Sequence, residues 1–151
     1  VDLLLSYDMF ATSGRDYHFY ITDAQGDGRV VEFDCDSPER LPVVTPTRQV
    51  TNFFVMHEDK VAPFQRNGAY GHGRERYDAI SAVLDEAPMG QDAQVTAWKA
   101  LRTASQEPNP EDVTSNTQWS IVFDNANLTA DVALRRRWGD VHHADIHGNM
   151  V

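Results

Sequence analysis

The stretch Gln49–Tyr77, QVTNFFVMHEDKVAPFQRNGAYGHGRERY, decides the fold of this chain. Its beginning, Gln49–Met56, is rich in β-branched and aromatic residues and predicts a strand. A polar loop, His57–His72, follows, and its length and glycine content favour a functional site over a simple linker. A predicted helix then begins at Arg74. We therefore expect the rest of the chain to hold the strand and the start of this helix close together.

The sequence around this stretch predicts two runs of strands separated by a pair of helices. The other predicted strands are Tyr17–Thr22, Arg29–Phe33, Val43–Thr47, Gln118–Asp124, Ala130–Arg137 and Asp140–Ile146, and the predicted helices are Arg74–Glu86 and Gln91–Ser105. Strands that do not alternate with helices indicate an α+β fold with a mainly antiparallel sheet. The length of 151 residues predicts a single domain with its own core.

The composition limits the kinds of partner. The formal net charge is −10 at pH 7, and nucleic acid is not an expected partner because phosphate binding requires a basic surface. No segment approaches the roughly 20 apolar residues of a membrane-spanning helix, so no membrane partner is expected. The sequence indicates no cofactor, and it does not define a cellular compartment.

The single cysteine, Cys35, lies between Asp34 and Asp36. Two adjacent carboxylates disfavour the thiolate that a nucleophile needs, so we expect a structural or incidental role for this residue. The chain starts at Val1 without a methionine, in a segment typical of the middle of a helix. This start predicts that the natural N-terminus lies upstream.

Two polar side chains at the ends of the central stretch are the candidate site residues. Asn52 falls among apolar neighbours of the predicted strand, where it must either tie down a loop backbone or direct its NH₂ group at a ligand such as a developing oxyanion. Arg74 and Arg76 are two positions apart on a helix, so only one of them can point inward. Arg76 precedes the apolar face of the helix and is the preferred candidate, with Arg74 as the fallback.

The histidines suggest a different kind of site. His143, Asp145 and His147 would share one face of the last strand, and imidazole and carboxylate groups are ligands for zinc or iron. His57 is a possible fourth ligand. His18, inside an aromatic strand, is expected to be a hydrogen-bonded core histidine. A metal-dependent enzyme is therefore kept as an alternative.

Four segments together resemble the choloylglycine hydrolase family, the linear amide C–N hydrolases. They are VTNFF (Val50–Phe54), GHGRERYDAI (Gly71–Ile80), TQWSIVFD (Thr117–Asp124) and DVHHADI (Asp140–Ile146). The predicted strands Tyr17–Thr22 and Arg29–Phe33 form a predicted hairpin, YHFYITDAQGDGRVVEFD, that is also similar to that family. The order and spacing hold over nearly all of the chain.

The resemblance implies an N-terminal nucleophile hydrolase with an αββα sandwich. The nucleophile of such an enzyme is an N-terminal cysteine that attacks an amide carbonyl and forms an acyl-enzyme. Asn52 matches the asparagine that contributes to the oxyanion hole in this family. Arg76 matches the arginine that lies beside the nucleophile.

The chain departs from the family pattern at its start. Val1 carries no nucleophile, and Cys35 is internal, so it cannot supply the α-amino group. The resemblance therefore implies the C-terminal part of a catalytic domain, inactive by itself, with the N-terminal half as its partner and a small acyl amide as substrate. Such a part should expose an apolar sheet face, which predicts a partner chain or self-association. A binding module without catalysis on the same scaffold is the other alternative.

Overall fold

The computed structural model describes residues 1–7, 17–113 and 115–145. The chain divides into two compact units, Val1–Tyr77 and Asp78–Val151. Within the described residues, six strands form two three-stranded antiparallel sheets, accompanied by two α-helices. The predicted α+β class is confirmed, and the strands pair antiparallel as predicted. No helix in these ranges is both long enough and apolar enough to cross a membrane.

The first unit contains a sheet in the order β1 (Phe19–Thr22), β2 (Gly28–Phe33) and β3 (Pro42–Pro46). The turn between β1 and β2 is stabilised by Asp23, whose carboxylate accepts hydrogen bonds from two backbone N–H groups of the turn. Gly26 supplies the positive φ, +87°, that this turn requires. All three strands were predicted, with shifts of one or two residues at their ends.

The central strand, β2, is buried on both faces. Val30, Val31 and Glu32 have no exposed surface, and Phe33 is 2% exposed. Successive residues of a strand point to opposite faces, so both faces of β2 are covered. Glu32 therefore places a carboxylate inside an apolar core, which is tolerated only if hydrogen-bond donors surround it.

The prediction of a strand over Gln49–Met56 is wrong. Phe53 forms one isolated bridge with Gly71, and Val55–Lys60 is a 3-10 helix. The backbone N–H groups of the first two residues of this helix donate to the two oxygens of Glu32, at 2.7 Å and 2.8 Å. These buried bonds turn the chain directly after the bridge, before a strand ladder can form.

The second unit begins within α1 (Arg74–Asp85), which is followed by α2 (Ala93–Ala104). Asp92 caps α2 by accepting a hydrogen bond from the Gln94 backbone N–H at 2.8 Å. A sheet follows in the order β4, β5 and β6. Its strands are Trp119–Asp124, Thr129–Leu134 and Val141–Asp145.

Helix α2 packs against one face of the second sheet. Ser120 and Ala133 are paired across β4 and β5 and are 5% and 1% exposed. Asp131 lies on the same face, two positions from Ala133, and accepts a hydrogen bond from Gln94 of α2. The residues of this face are small or polar, which suits contact with a helix.

The opposite face of the second sheet is apolar and exposed. Trp119 and Phe123 lie on this face of β4 and are 63% and 65% exposed. Leu134, which is paired with Trp119 across the strands, is 40% exposed. Large apolar side chains grouped on one side of a sheet are typical of a surface that another element covers.

The strand predicted to end at Arg137 ends at Leu134 instead. Arg135 and Arg136 have φ values of 49° and 61°, so the chain turns at these positions and leaves the sheet. The guanidinium of Arg136 forms an ion pair with Glu107. The first two of the three consecutive arginines, Arg135–Arg137, therefore form a turn, and Arg136 has an acidic partner in Glu107.

Candidate functional site

The candidate site is built on the close approach of two backbone segments in the first unit. The N–H of His72 donates to the carbonyl oxygen of Asn52 at 2.8 Å, and Phe53 bridges to Gly71. A Cβ at Gly71 would lie 2.1 Å from the Asn52 carbonyl oxygen, and the φ of this glycine is +102°. Only glycine fits this position, which explains why a glycine-rich loop lies opposite the asparagine.

Gly73 joins this loop to α1. Its carbonyl oxygen accepts hydrogen bonds from the Thr51 hydroxyl at 3.0 Å and from the backbone N–H groups of Arg76 and Tyr77. Its φ is +92°, and a Cβ added here would lie 2.4 Å from Nη2 of Arg76. The absence of a side chain at Gly73 therefore lets the guanidinium lie against the backbone at the start of the helix.

Asn52 and Arg76 contact each other directly. Nη2 of Arg76 donates to Oδ1 of Asn52 at 2.6 Å. An arginine can only donate hydrogen bonds, so this contact fixes which end of the asparagine amide faces it. The NH₂ group of Asn52 is consequently turned away from Arg76, with two N–H donors available to a ligand.

The guanidinium group of Arg76 is partly buried. Its Nε lies buried without a hydrogen-bond partner, and desolvation lowers the pKa of Arg76 from its ordinary value, an effect that the neighbouring Glu75 opposes. Arginine nevertheless stays protonated in proteins, so the group is a fixed, partly desolvated positive charge. Arg74, the fallback candidate, instead donates to the backbone carbonyl of Glu58 at 2.7 Å.

A cleft of about 710 Å³ lies beside this pair and is lined by residues 17–18, 51–54 and 66–72. Asn52 is exposed and belongs to its lining, together with the exposed His72. A volume of this size is typical of small-molecule sites, roughly 300–1,000 Å³. Asn52 is therefore placed where a small ligand in the cleft can reach it.

His18 is a second polar group in the lining of the cleft. Its Nδ1 lies 3.2 Å from Oε1 of the buried Glu32, and its side chain is 19% exposed. Nδ1 of His18 is therefore placed to donate to a carboxylate oxygen that already accepts a backbone N–H group. The expected hydrogen bond of this histidine is present, and it orients the ring at the edge of the cleft.

The predicted metal ligands of the last strand are only partly described. His143 and Asp145 lie on one face of β6, whereas His147 lies outside the described residues. Nδ1 of His143 contacts Oδ1 of Asp131 at 2.5 Å. In the part of the chain that the structure describes, one group of three side chains has the geometry to hold a metal ion, and it lies in the first unit: Asp34, Cys35 and His57.

The structure thus joins two residues, Asn52 and Arg76, that separate sequence arguments selected. Sequence reasoning missed Glu32, because an acidic residue in a strand is usually exposed. The available signal was its position between Val31 and Phe33 in a strand with few other polar residues.

Comparison with models of known families, with curated proteins and with solved structures finds no match to this chain.

Proposed function

We propose that this chain is the C-terminal part of a linear amide C–N hydrolase of the choloylglycine hydrolase type, with an αββα sandwich. The observation that carries the proposal is the contact between Arg76 and Asn52. Because the arginine holds the oxygen of the asparagine amide, the NH₂ group is oriented before any substrate binds. Donors that are oriented in advance are the kind of group that stabilises a developing oxyanion.

In the proposed reaction, the thiolate of an N-terminal cysteine attacks the carbonyl carbon of an acyl amide. The carbonyl oxygen becomes an oxyanion, and Asn52 donates a hydrogen bond to it. The C–N bond then breaks, the amine leaves with a proton from the α-amino group of the cysteine, and a thioester acyl-enzyme remains. Water hydrolyses the thioester, which releases the acyl group as a carboxylic acid and regenerates the thiol.

Arg76 has two roles in this proposal. Its hydrogen bond fixes the orientation of Asn52, so it acts as a positioning residue. Its positive charge, partly buried, also favours an anionic nucleophile and an oxyanion nearby, because charges interact more strongly where water is excluded. Arg74, bonded to a backbone carbonyl, supplies neither effect to the cleft.

In this proposal the cysteine nucleophile lies outside residues 1–151, because Cys35, the single cysteine of this sequence, does not line the cleft. We propose that the N-terminal half of the same enzyme supplies it, as a preceding segment or a separate chain. The exposed apolar face formed by Trp119, Phe123 and Leu134 supports this partner. In an αββα sandwich each sheet has one face against helices and one against the other sheet, and α2 covers only the first.

The proposal is tested by the intact mass and N-terminal sequence of every chain in the protein purified from its natural source. We expect a chain that begins with cysteine, either continuous with this one or associated with it. If Val1 instead follows directly on an initiator methionine and nothing else is bound, the cysteine mechanism is excluded. The cleft would then belong to a binding module that uses Asn52 to hold a carbonyl or carboxylate group.

A further inference from the structure

Three side chains beside the end of β2 form a cluster that the proposed hydrolase chemistry does not use. Asp34 and Cys35 follow β2 directly, and His57 lies in the 3-10 helix Val55–Lys60. One ligand atom from each of the three lies within 4.8 Å of the others. The ligands of a tetrahedral zinc ion lie roughly 3.3–3.8 Å apart, so small side-chain rotations would suffice to close the site.

His57 provides an independent indication that this cluster binds a ligand. The residue is 8% exposed, and its Nε2 is buried without a hydrogen-bond partner. Nε2 lies 3.5 Å from Oδ1 of Asp34 and 3.8 Å from Oδ2 of Asp36, without hydrogen-bond geometry to either. A buried polar atom without a partner costs free energy, and a cation shared with the carboxylate would remove that cost.

We propose that Asp34, Cys35 and His57 bind a Zn²⁺ ion, with water or a further ligand in the fourth position. Thiolate, imidazole and carboxylate are the three kinds of ligand that zinc accepts, and thiolate disfavours magnesium and calcium. Binding converts the thiol of Cys35 to a thiolate and releases its proton to solvent. No redox step is involved.

The charges around the cluster are balanced by a divalent cation. Asp36 is already paired with Lys60, whose Nζ lies 2.7 Å from Oδ2. Bound zinc would be held by the carboxylate of Asp34 and the thiolate of Cys35, whose two negative charges match the charge of the ion.

The fold holds the ligands in place through groups outside the cluster. Glu32 binds the N-terminal end of the 3-10 helix through two backbone N–H groups, which fixes His57 beside the end of β2. The ring of Tyr70 lies against His57 with centroids 4.5 Å apart, and its hydroxyl donates to Asp36. Supporting contacts of this kind orient metal ligands and raise affinity.

The ion would link the end of β2 to the 3-10 helix Val55–Lys60, which begins three residues after Asn52. Zinc binding should therefore stabilise the first unit and raise its Tm, because a ligand that binds only the folded state shifts the unfolding equilibrium. This inference does not depend on the hydrolase proposal, because none of the three ligands lines the cleft.

The test is titration of the purified, metal-free chain with Zn²⁺ by calorimetry, and with Co²⁺ by absorption spectroscopy. We expect one ion per chain, a sulfur-to-cobalt charge-transfer band and the intense visible bands of tetrahedral cobalt. Cys35→Ser should abolish the charge-transfer band and weaken zinc binding by at least about 100-fold, because loss of a direct ligand exceeds the 10–100-fold effect of a supporting group. His57→Gln should weaken binding similarly.

His143→Gln is the matched control, because His143 is exposed on β6 and belongs to the metal site considered from the sequence. Its zinc affinity should equal that of the wild type. Circular dichroism establishes folding of each variant, and if His57→Gln fails to fold, Cys35→Ser alone decides. Absence of stoichiometric binding by the folded wild type, or binding that Cys35→Ser leaves unchanged, would overturn the proposal.

Discussion

Asn52→Ala, introduced into the proposed enzyme with its N-terminal cysteine, is expected to lower kcat by about 10²–10³ and to leave KM nearly unchanged. The oxygen of the Asn52 amide is held by Arg76, and Asn52 belongs to the lining of the cleft. Such a donor strengthens its hydrogen bond as negative charge develops on the substrate oxygen. Its loss therefore raises the free energy of the transition state more than that of the bound substrate.

The measurement is steady-state release of amine from an acyl-amide substrate by wild type and variant. Asn127→Ala is the matched control, because it removes the same side chain from the exposed turn between β4 and β5. It should leave kcat within about twofold, because surface substitutions away from a site have small effects. A kcat of Asn52→Ala equal to that of the wild type would mean that Asn52 does not contribute to the proposed oxyanion hole.

Glu32→Gln is expected to lower the free energy of unfolding by about 2–4 kcal/mol. The Glu32 carboxylate is fully buried, and its two oxygens accept from two backbone N–H groups and from His18. Glutamine has the same shape but one of these oxygens becomes an NH₂ group. That group would face an N–H donor in the core, which leaves buried donors unpaired.

Urea denaturation of the two proteins at neutral pH measures this difference. Glu58→Gln is the control, because Glu58 is exposed on the same 3-10 helix, and it should change stability by less than about 0.5 kcal/mol. Equal stability of Glu32→Gln and wild type would mean that the carboxylate does not hold the helix in place.

Local sequence signals were sufficient to predict the elements whose structure depends on local interactions. The hairpin of β1 and β2 follows from Asp23 and Gly26, which form its turn, and α2 begins where Asp92 caps it. The prediction of a strand over Gln49–Met56 failed because β-branched and aromatic residues indicate partial burial and do not by themselves specify a strand. A carboxylate more than 20 positions earlier in the chain, at Glu32, decides its backbone conformation.

The same distinction applies to the candidate site. Asn52 and Arg76 were selected by separate arguments, on an isolated amide and on a helix face, and the sequence could not show that they touch. Their contact depends on Gly73, where any side chain would collide with the guanidinium. The cluster of Cys35 and His57 also depends on tertiary contacts, because the 3-10 helix brings these residues together and was predicted as strand and loop.

The central claim is that this chain completes the site of an N-terminal cysteine hydrolase. Intact mass spectrometry of the processed enzyme, quenched in acid during turnover of acyl amides, tests it most directly. We expect the chain that begins with cysteine to gain the mass of the acyl group, with the modification mapped to that cysteine and less of it in Asn52→Ala. An adduct on Cys35, or neither adduct nor amine release with any acyl amide, would contradict the claim.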